Sequence, residues 1–265
     1  MYKLIALDMD GTLLNNQKEI SERNVEAIKN ATKCGYKIVL ASARPFYRLK
    51  RYLIKLGLIS KDQFTIAFNG GIVVNNTEDL FLFTKTFAQD DVMKLINIGQ
   101  NFCTDMFLYS YDGIISNSLN EEYVRKNPDA NYSVNELSGI DYSETSIYKF
   151  TIVNNPVRIN EIRKALPVNL KENFEITSSS PEFIEFACKG ITKAHALEHI
   201  SDKLEIGLNE MIAFGDEDND LPMLNCVGYS VAMGNGSDVV KKQADYVTFS
   251  NEEDGVAHAI EKICF

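Results

Sequence analysis

No apolar run in this chain approaches the roughly 20 residues that a helix needs to cross a bilayer. The longest, such as Leu4 to Leu7 and Ile38 to Ala41, are strand-sized, so no membrane role is expected. Basic residues are in deficit: 27 Lys and Arg against 37 Asp and Glu leave a formal net charge of -10. A field of that sign repels nucleic acid and anionic lipid. The five cysteines, Cys34, Cys103, Cys188, Cys226 and Cys264, are odd in number, far apart and without a Cys-x-x-Cys pair. That spacing predicts reduced thiols in a cytoplasmic protein rather than a disulfide framework. Asp8 interrupts the N-terminal apolar stretch before a secretory signal core can form. With 15 Gly and only 6 Pro, and no repeat or biased tract, collagen-like and disordered chains are excluded as well.

What is present is an ordinary globular composition, 45% hydrophobic and 24% charged over 265 residues. That length suits one large α/β domain, or a core domain carrying a smaller one. The first third alternates strand and helix patterns. Lys3 to Leu7 is apolar; Ser21 is placed to cap a helix over Glu22 to Cys34 that stops at Gly35; Tyr36 to Ala41 is β-branched and apolar. A second helix follows Pro45 and stops at Gly57, and Phe64 to Phe68 reads as a third strand. Strands separated by helices predict a parallel, doubly wound sheet.

From Ile72 the pattern changes to short strands around the loop Asn75 to Asp79. Residues 86–188 then read as an inserted α+β domain. Residues 1–85 and 189–265 make the Rossmann-like core, whose pattern resumes with a helix over Thr192 to Leu204 and a strand over Met211 to Gly215.

In an open α/β sheet, ligands bind beyond the carboxyl ends of the strands. Three polar clusters fall there: Asp8-Met9-Asp10-Gly11-Thr12, Ser42-Ala43-Arg44, and Gly215-Asp216-Glu217-Asp218-Asn219-Asp220. Gly190-Ile191-Thr192-Lys193 opens the returning helix. Asp8, Asp10, Asp216 and Asp220 gathered on one edge repel one another with Lys193 alone to offset them. A divalent cation resolves that conflict, and hard oxygen ligands without nearby His or Cys favour Mg²⁺. Phosphate is the matching anion, screened by Lys193, bonded by Ser42 and cradled by the backbone N–H groups of Met9 to Gly11. Asp-x-Asp-Gly alone is a common acidic loop. Its combination with the other clusters, in order and each at a strand end or helix start, is what points to chemistry. His195 and His199 lie four residues apart but lack a third ligand, and are expected on a solvated helix face.

These motifs resemble the haloacid dehalogenase-like superfamily of phosphatases, in its Cof-type branch with a large cap inserted after the third strand. Asp8 to Leu13 matches the first motif, Ser42 the second, Lys193 the third and Gly215 to Asp220 the fourth. Asn69-Gly70, Val231 to Asn235, Ala244 to Thr248 and Glu253 to Ala257 also look like this branch; Ala43 stands where the branch usually carries glycine. The resemblance implies that Asp8 is the nucleophile and Asp10 the acid that protonates the leaving alcohol and then activates water. It implies a Mg²⁺ held by Asp8, the carbonyl of Asp10 and Asp216, with Ser42 and Lys193 on the phosphoryl oxygens. Gly11 and Asn219 fall on the substrate side, Arg44 and Asn69 either touch the substrate or equally brace a loop, and Asp220 supports the metal waters or Lys193.

The expected function is a Mg²⁺-dependent hydrolase of phosphomonoesters of small metabolites, sugar phosphates first, acting through an aspartyl-phosphate. The expected partner is a small phosphorylated metabolite, with no nucleic acid, membrane or protein partner implied. The alternatives are a phosphomutase that returns the phosphoryl group to a sugar, and a non-catalytic sensor of phosphorylated metabolites.

Overall fold

The computed structural model describes residues 1–126, 130–142, 144–178 and 180–265. The chain opens with β1 (Leu4–Leu7), α1 (Glu22–Lys33), β2 (Lys37–Ala41), α2 (Phe46–Leu56) and β3 (Phe64–Ala67). An antiparallel hairpin follows, β4 (Ile72–Asn75) and β5 (Phe81–Thr84). The middle of the chain forms α3 (Gln89–Asn101), β6 (Asp105–Tyr109), β7 (Ile114–Ser116), α4 (Glu121–Lys126), β8 (Tyr132–Val134) and β9 (Lys149–Val153). It continues with α5 (Pro156–Ala165), α6 (Leu170–Asn173), β10 (Phe174–Thr177) and β11 (Phe183–Cys188). The last part contains α7 (Lys193–Leu204), β12 (Met211–Gly215), α8 (Leu221–Cys226), β13 (Tyr229–Ala232), α9 (Asp238–Gln243), β14 (Tyr246–Val247) and α10 (Gly255–Cys264).

Two compact units result, Met1–Thr84 with Thr192–Phe265, and Lys85–Ile191. The first holds an eight-stranded sheet in the order β14-β13-β12-β1-β2-β3-β4-β5, parallel from β14 to β3. Every residue of β1 is buried, as a strand covered on both faces requires, which is why it reads as an uninterrupted apolar run. Strand order reverses at β1, with β2 and β3 on one side and β12 to β14 on the other. That reversal opens the crevice in which doubly wound sheets bind ligands.

Local chemistry sets the crossovers. The Ser21 hydroxyl caps α1 by accepting from Asn24 N at 3.1 Å, and Gly57 ends α2 in the left-handed conformation, φ 71°. In α7, Thr192 accepts from His195 N, and the buried stripe is Lys193, Ala196, Leu197 and Ile200. The spacing is that of one helix face, so the same periodicity that packs Leu197 and Ile200 against Leu4, Ala6 and Met211 places a lysine at the head of the stripe.

His195 and His199 depart from the expected solvated face. Both rings pack on Phe83 of β5, with centroids 4.9 and 4.5 Å away, and His195 Nδ1 and His199 Nε2 are buried. The cause is the β4–β5 hairpin, which extends the sheet beyond β3 so that β5 lies against α7.

The second unit has a six-stranded sheet, β10-β11-β9-β6-β7-β8, antiparallel except for β7 with β8. Leu95 and Ile96 of α3 and Ile159 and Ile162 of α5 pack against Met106, Leu108, Phe150, Ile152, Ile184 and Phe186, a core of its own. Among the described residues no helix is long and apolar enough to cross a membrane.

Candidate active site

Parallel pairing of β1 with β12 puts Leu7 beside Phe214, and Asp8 N donates to Phe214 O at 3.1 Å. The two strands therefore leave the sheet side by side, and their next polar residues meet. One carboxylate oxygen from each of Asp8, Asp216 and Asp220 lies within 4.8 Å of the others, all three side chains buried. Lys193, with none of its surface exposed, reaches in from the start of α7. Its Nζ donates to Asp8 Oδ1 and, at 2.6 Å, to Asp220 Oδ1. Asp220 Oδ2 accepts from the backbone N–H groups of Asp216 and Glu217, 3.0 and 3.2 Å, so this residue anchors both the lysine and the turn after β12. Asp216 Oδ1 accepts from the Thr12 hydroxyl at 2.8 Å.

Three carboxylates around one ammonium leave an excess of negative charge. Burial raises the Asp8 carboxyl above the ordinary range; Lys193 pulls it back, and Asp220 and Asp216 push it up further. Burial also pushes Asp216 up to about 6, against the pull of the Thr12 hydrogen bond. For Lys193, burial works against the charged form, yet Asp8 and Asp220 outweigh it and hold the ammonium protonated. An all-oxygen, buried, electron-rich donor set of this kind fits a hard divalent cation. Gly11 is what lets the Asp216 carboxylate sit where it does: its φ is +82°, and a Cβ there would come within 2.2 Å of Asp216 Oδ2, so a side chain would displace that ligand. Because both Asp220 oxygens are already bonded, Asp8 and Asp216 are the carboxylates suited to hold the ion.

Asp10 stands apart from that trio. Its carboxylate is gripped by the Arg44 guanidinium, Nε to Oδ2 and Nη2 to Oδ1, both 2.6 Å, and by Lys18 Nζ at 2.8 Å. Burial works to raise its carboxyl, but these cations prevail and hold it at about 2. Ser42 is buried beyond β2, and its hydroxyl oxygen accepts from Arg44 N at 3.1 Å. Asn69 is left-handed, φ 58°, as is Phe68 before it, φ 50°. Their N–H groups donate to Ser42 O and Arg44 O, 2.9 and 3.0 Å. Asparagine tolerates the left-handed region, so the cost of about 1–2 kcal/mol falls mainly on Phe68, and the two hydrogen bonds tie the end of β3 to the end of β2. Asn219 Nδ2 meets Asn69 Oδ1 at 3.5 Å. Of the site residues expected from sequence, Asp8, Asp216, Asp220 and Lys193 come together with Gly11 against Asp216, Asp10 pairs with Arg44, Ser42 bonds backbone groups of Arg44 and Asn69, and Asn69 meets Asn219.

Several supporting residues escaped sequence reasoning. Asn235 Nδ2 donates to Gly11 O at 2.8 Å, and Asn235 Oδ1 accepts from Asn251 N. Asn251 Nδ2 in turn donates to Leu14 O at 2.9 Å. Together they brace the loop that carries Asp8 and Asp10. Thr12 and Asn235 lay inside conspicuous motifs, whereas Asn251 and Lys18 carried no signal of their own.

The family model of haloacid dehalogenase-like hydrolases matches residues 5–260. The chain belongs to that family. Among solved structures, a haloacid dehalogenase-like hydrolase from Bacteroides thetaiotaomicron is 32% identical, with a TM-score of 0.91 over 99% of this chain and 100% of the other. A HAD subclass IIB sugar phosphatase is 25% identical, with a TM-score of 0.80 over 99% of each chain. The 5-amino-6-(5-phospho-D-ribitylamino)uracil phosphatase YcsE of Bacillus subtilis is 33% identical over 97% of this chain and 94% of its own. This haloacid dehalogenase-like hydrolase is therefore an enzyme with phosphatases among its relatives, and its buried aspartate cluster can hold a divalent metal.

Proposed function

We propose that this hydrolase is a Mg²⁺-dependent phosphatase, cytoplasmic, acting on phosphomonoesters of small metabolites, with sugar phosphates the first class to test. The observation that carries this reading is the buried Asp8 held by Lys193 beside Asp216 and Asp220. Lys193 binds Oδ1 of Asp8, which fixes the carboxylate and leaves Oδ2 to attack phosphorus. As the Asp8–phosphorus bond forms, the bond to the ester oxygen breaks and the leaving oxygen takes a proton from the protonated form of Asp10, a minority form at neutral pH because Arg44 and Lys18 favour the carboxylate. Asp10 then takes a proton from the water that attacks the aspartyl-phosphate, releasing inorganic phosphate and restoring the Asp8 carboxylate. Asp8, Asp216 and the carbonyl of Asp10 would hold Mg²⁺, which when bound would neutralise charge on the transferring group.

Lys193, the Ser42 hydroxyl and the N–H groups around Gly11 receive the phosphoryl oxygens. Asn219 and Asn69 meet the substrate beside it. Two of the relatives named above are phosphatases of a sugar phosphate and of a phosphoribityl compound, which supports a small polyol phosphate as the substrate.

Phosphate release from a panel of sugar phosphates, nucleotides and phosphorylated cofactors, with and without Mg²⁺, tests the reading. Release that needs Mg²⁺ and is lost in a folded Asp8→Asn variant is the expected result. Release that survives Asp8→Asn or metal removal would overturn it.

A further inference from the structure

We infer that Arg44 is a positioning residue for Asp10, aiming the carboxylate that exchanges the proton rather than binding the phosphoryl group. The inference rests on the reading of Asp10 given above. Its first support is the geometry of the pair: a guanidinium fork on both oxygens of one carboxylate, two charge-assisted bonds of 2.6 Å. Such a pairing fixes direction as well as distance, which a single point charge does not.

The second support is that Arg44 is itself held at every part. Its N–H is bonded to the Ser42 hydroxyl, and its carbonyl accepts from the left-handed Phe68. Nη1 reaches the Tyr52 hydroxyl at 3.4 Å. That hydroxyl accepts from Arg51 Nη2 at 2.6 Å and donates to Lys18 O at 2.8 Å. Lys18 is also left-handed, φ 62°, and from this pinned turn its Nζ meets Asp10. Backbone strain and a closed ring of bonds, Asp10–Arg44–Tyr52–Lys18–Asp10, thus converge on one carboxylate.

Exposure shows why such a brace is needed. The Asp10 side chain is 42% exposed, the Arg44 side chain 10%. A half-exposed carboxylate with two free torsions would turn to water without the fork, while Arg44 is too enclosed and too engaged to release its guanidinium to a phosphate. The phosphoryl group already has a cation in Lys193.

Steady-state kinetics of Arg44→Met on an alkyl phosphate the enzyme turns over tests this, with inorganic phosphate as inhibitor. General acid–base assistance is worth about 10²–10⁴-fold, so kcat is expected to fall by about 10²-fold. KM and the phosphate inhibition constant are expected to stay within about threefold. An aryl phosphate, whose leaving group needs less proton help, is expected to lose less. Arg44→Lys, which lacks the fork, is not expected to restore the rate. In the Asp10→Asn background, Arg44→Met is expected to add no further loss, because the two act as one unit.

A rise of more than about tenfold in KM or in the phosphate inhibition constant with kcat retained, or losses that multiply in the double variant, would overturn the inference. Should Arg44→Met not fold, Tyr52→Phe, which removes one link of the ring, reads the same split with a several-fold loss in kcat. Absence of Asp8-dependent turnover in the native protein would instead overturn the phosphatase reading, so the two failures are distinguishable.

Discussion

At the scale of single residues, the site depends on side chains that are costly unless paired. A fully buried lysine is tolerable here because Asp8 and Asp220 both meet its ammonium. Gly11 is constrained twice, by φ +82° and by the Asp216 carboxylate in the space of a Cβ. Gly11→Ala is therefore expected to lower stability by about 1–2 kcal/mol from backbone strain alone, and more from the clash. Denaturant titration reads the loss, and titration calorimetry is expected to show Mg²⁺ binding weakened with it. Unchanged stability and metal affinity would contradict that constraint.

Asp216 supplies a pH signature. Its carboxyl rises from 3.8 to about 6 on folding, so the folded protein holds that proton better than the unfolded chain. The associated stability is complete below the unfolded value and is lost as pH rises through about 6. In metal-free buffer, Asp216→Asn is thus expected to be more stable than the native protein near pH 7.5, by about 2–3 kcal/mol at most. The advantage is expected to shrink as pH falls toward about 4. Thermal melts across that range in chelator give the comparison, and a variant less stable at every pH would refute it.

At the scale of elements, each chemical group is delivered by a strand end or a helix start. Thr192 caps α7 immediately before Lys193, whereas Ser21 caps α1 three residues beyond Lys18 and bonds within its own helix. Both Thr192→Ala and Ser21→Ala are expected to cost about 1 kcal/mol of stability. Turnover is expected to fall only for Thr192→Ala, because only there does fraying release a site residue. Equal turnover in the two variants would show that the α7 cap does not position the lysine.

The doubly wound core was legible because β1 and β2 are apolar runs bounded by polar clusters, and because Ser21, Gly35, Pro45 and Gly57 punctuate the helices between them. The same rule places Asp8, Ser42 and Asp216 at one sheet edge, and α7 periodicity brings Lys193 to it. The partner of Arg44 was not legible. A residue after a strand end points to a region, and only packing decides whether its guanidinium meets a substrate or Asp10. Tyr52 was hidden in the apolar stripe of α2, where its ring packs and only its hydroxyl acts. In the second unit, α4 and β8 are six and three residues long, too short for periodicity to show. The histidines of α7 read as solvated because nothing in their own helix announces Phe83 of β5 above them.

At the scale of the whole molecule, the chain builds two separate cores, one about the parallel sheet and one about the antiparallel sheet. Phe150 is fully buried in the second. Phe150→Ala is expected to cost that unit about 3–5 kcal/mol and to split the calorimetric unfolding profile, with the component of the parallel-sheet unit left in place. A single transition that moves as a whole would show one cooperative unit instead. On the proposed function, the net charge of -10 leaves attraction for a phosphate group to the local field of Lys193 and of a cation in the aspartate cluster, in keeping with a small ligand rather than a polyanion.

The proposed function turns on the Asp8 carboxylate as the group that receives the phosphoryl group. The most direct measurement is rapid acid quenching of the enzyme during turnover with Mg²⁺, followed by mass spectrometry of the peptide that carries Asp8. The account predicts a peptide heavier by one phosphoryl group on Asp8, formed and lost at rates that match turnover. Phosphate release at full rate with Asp8 never modified would contradict it.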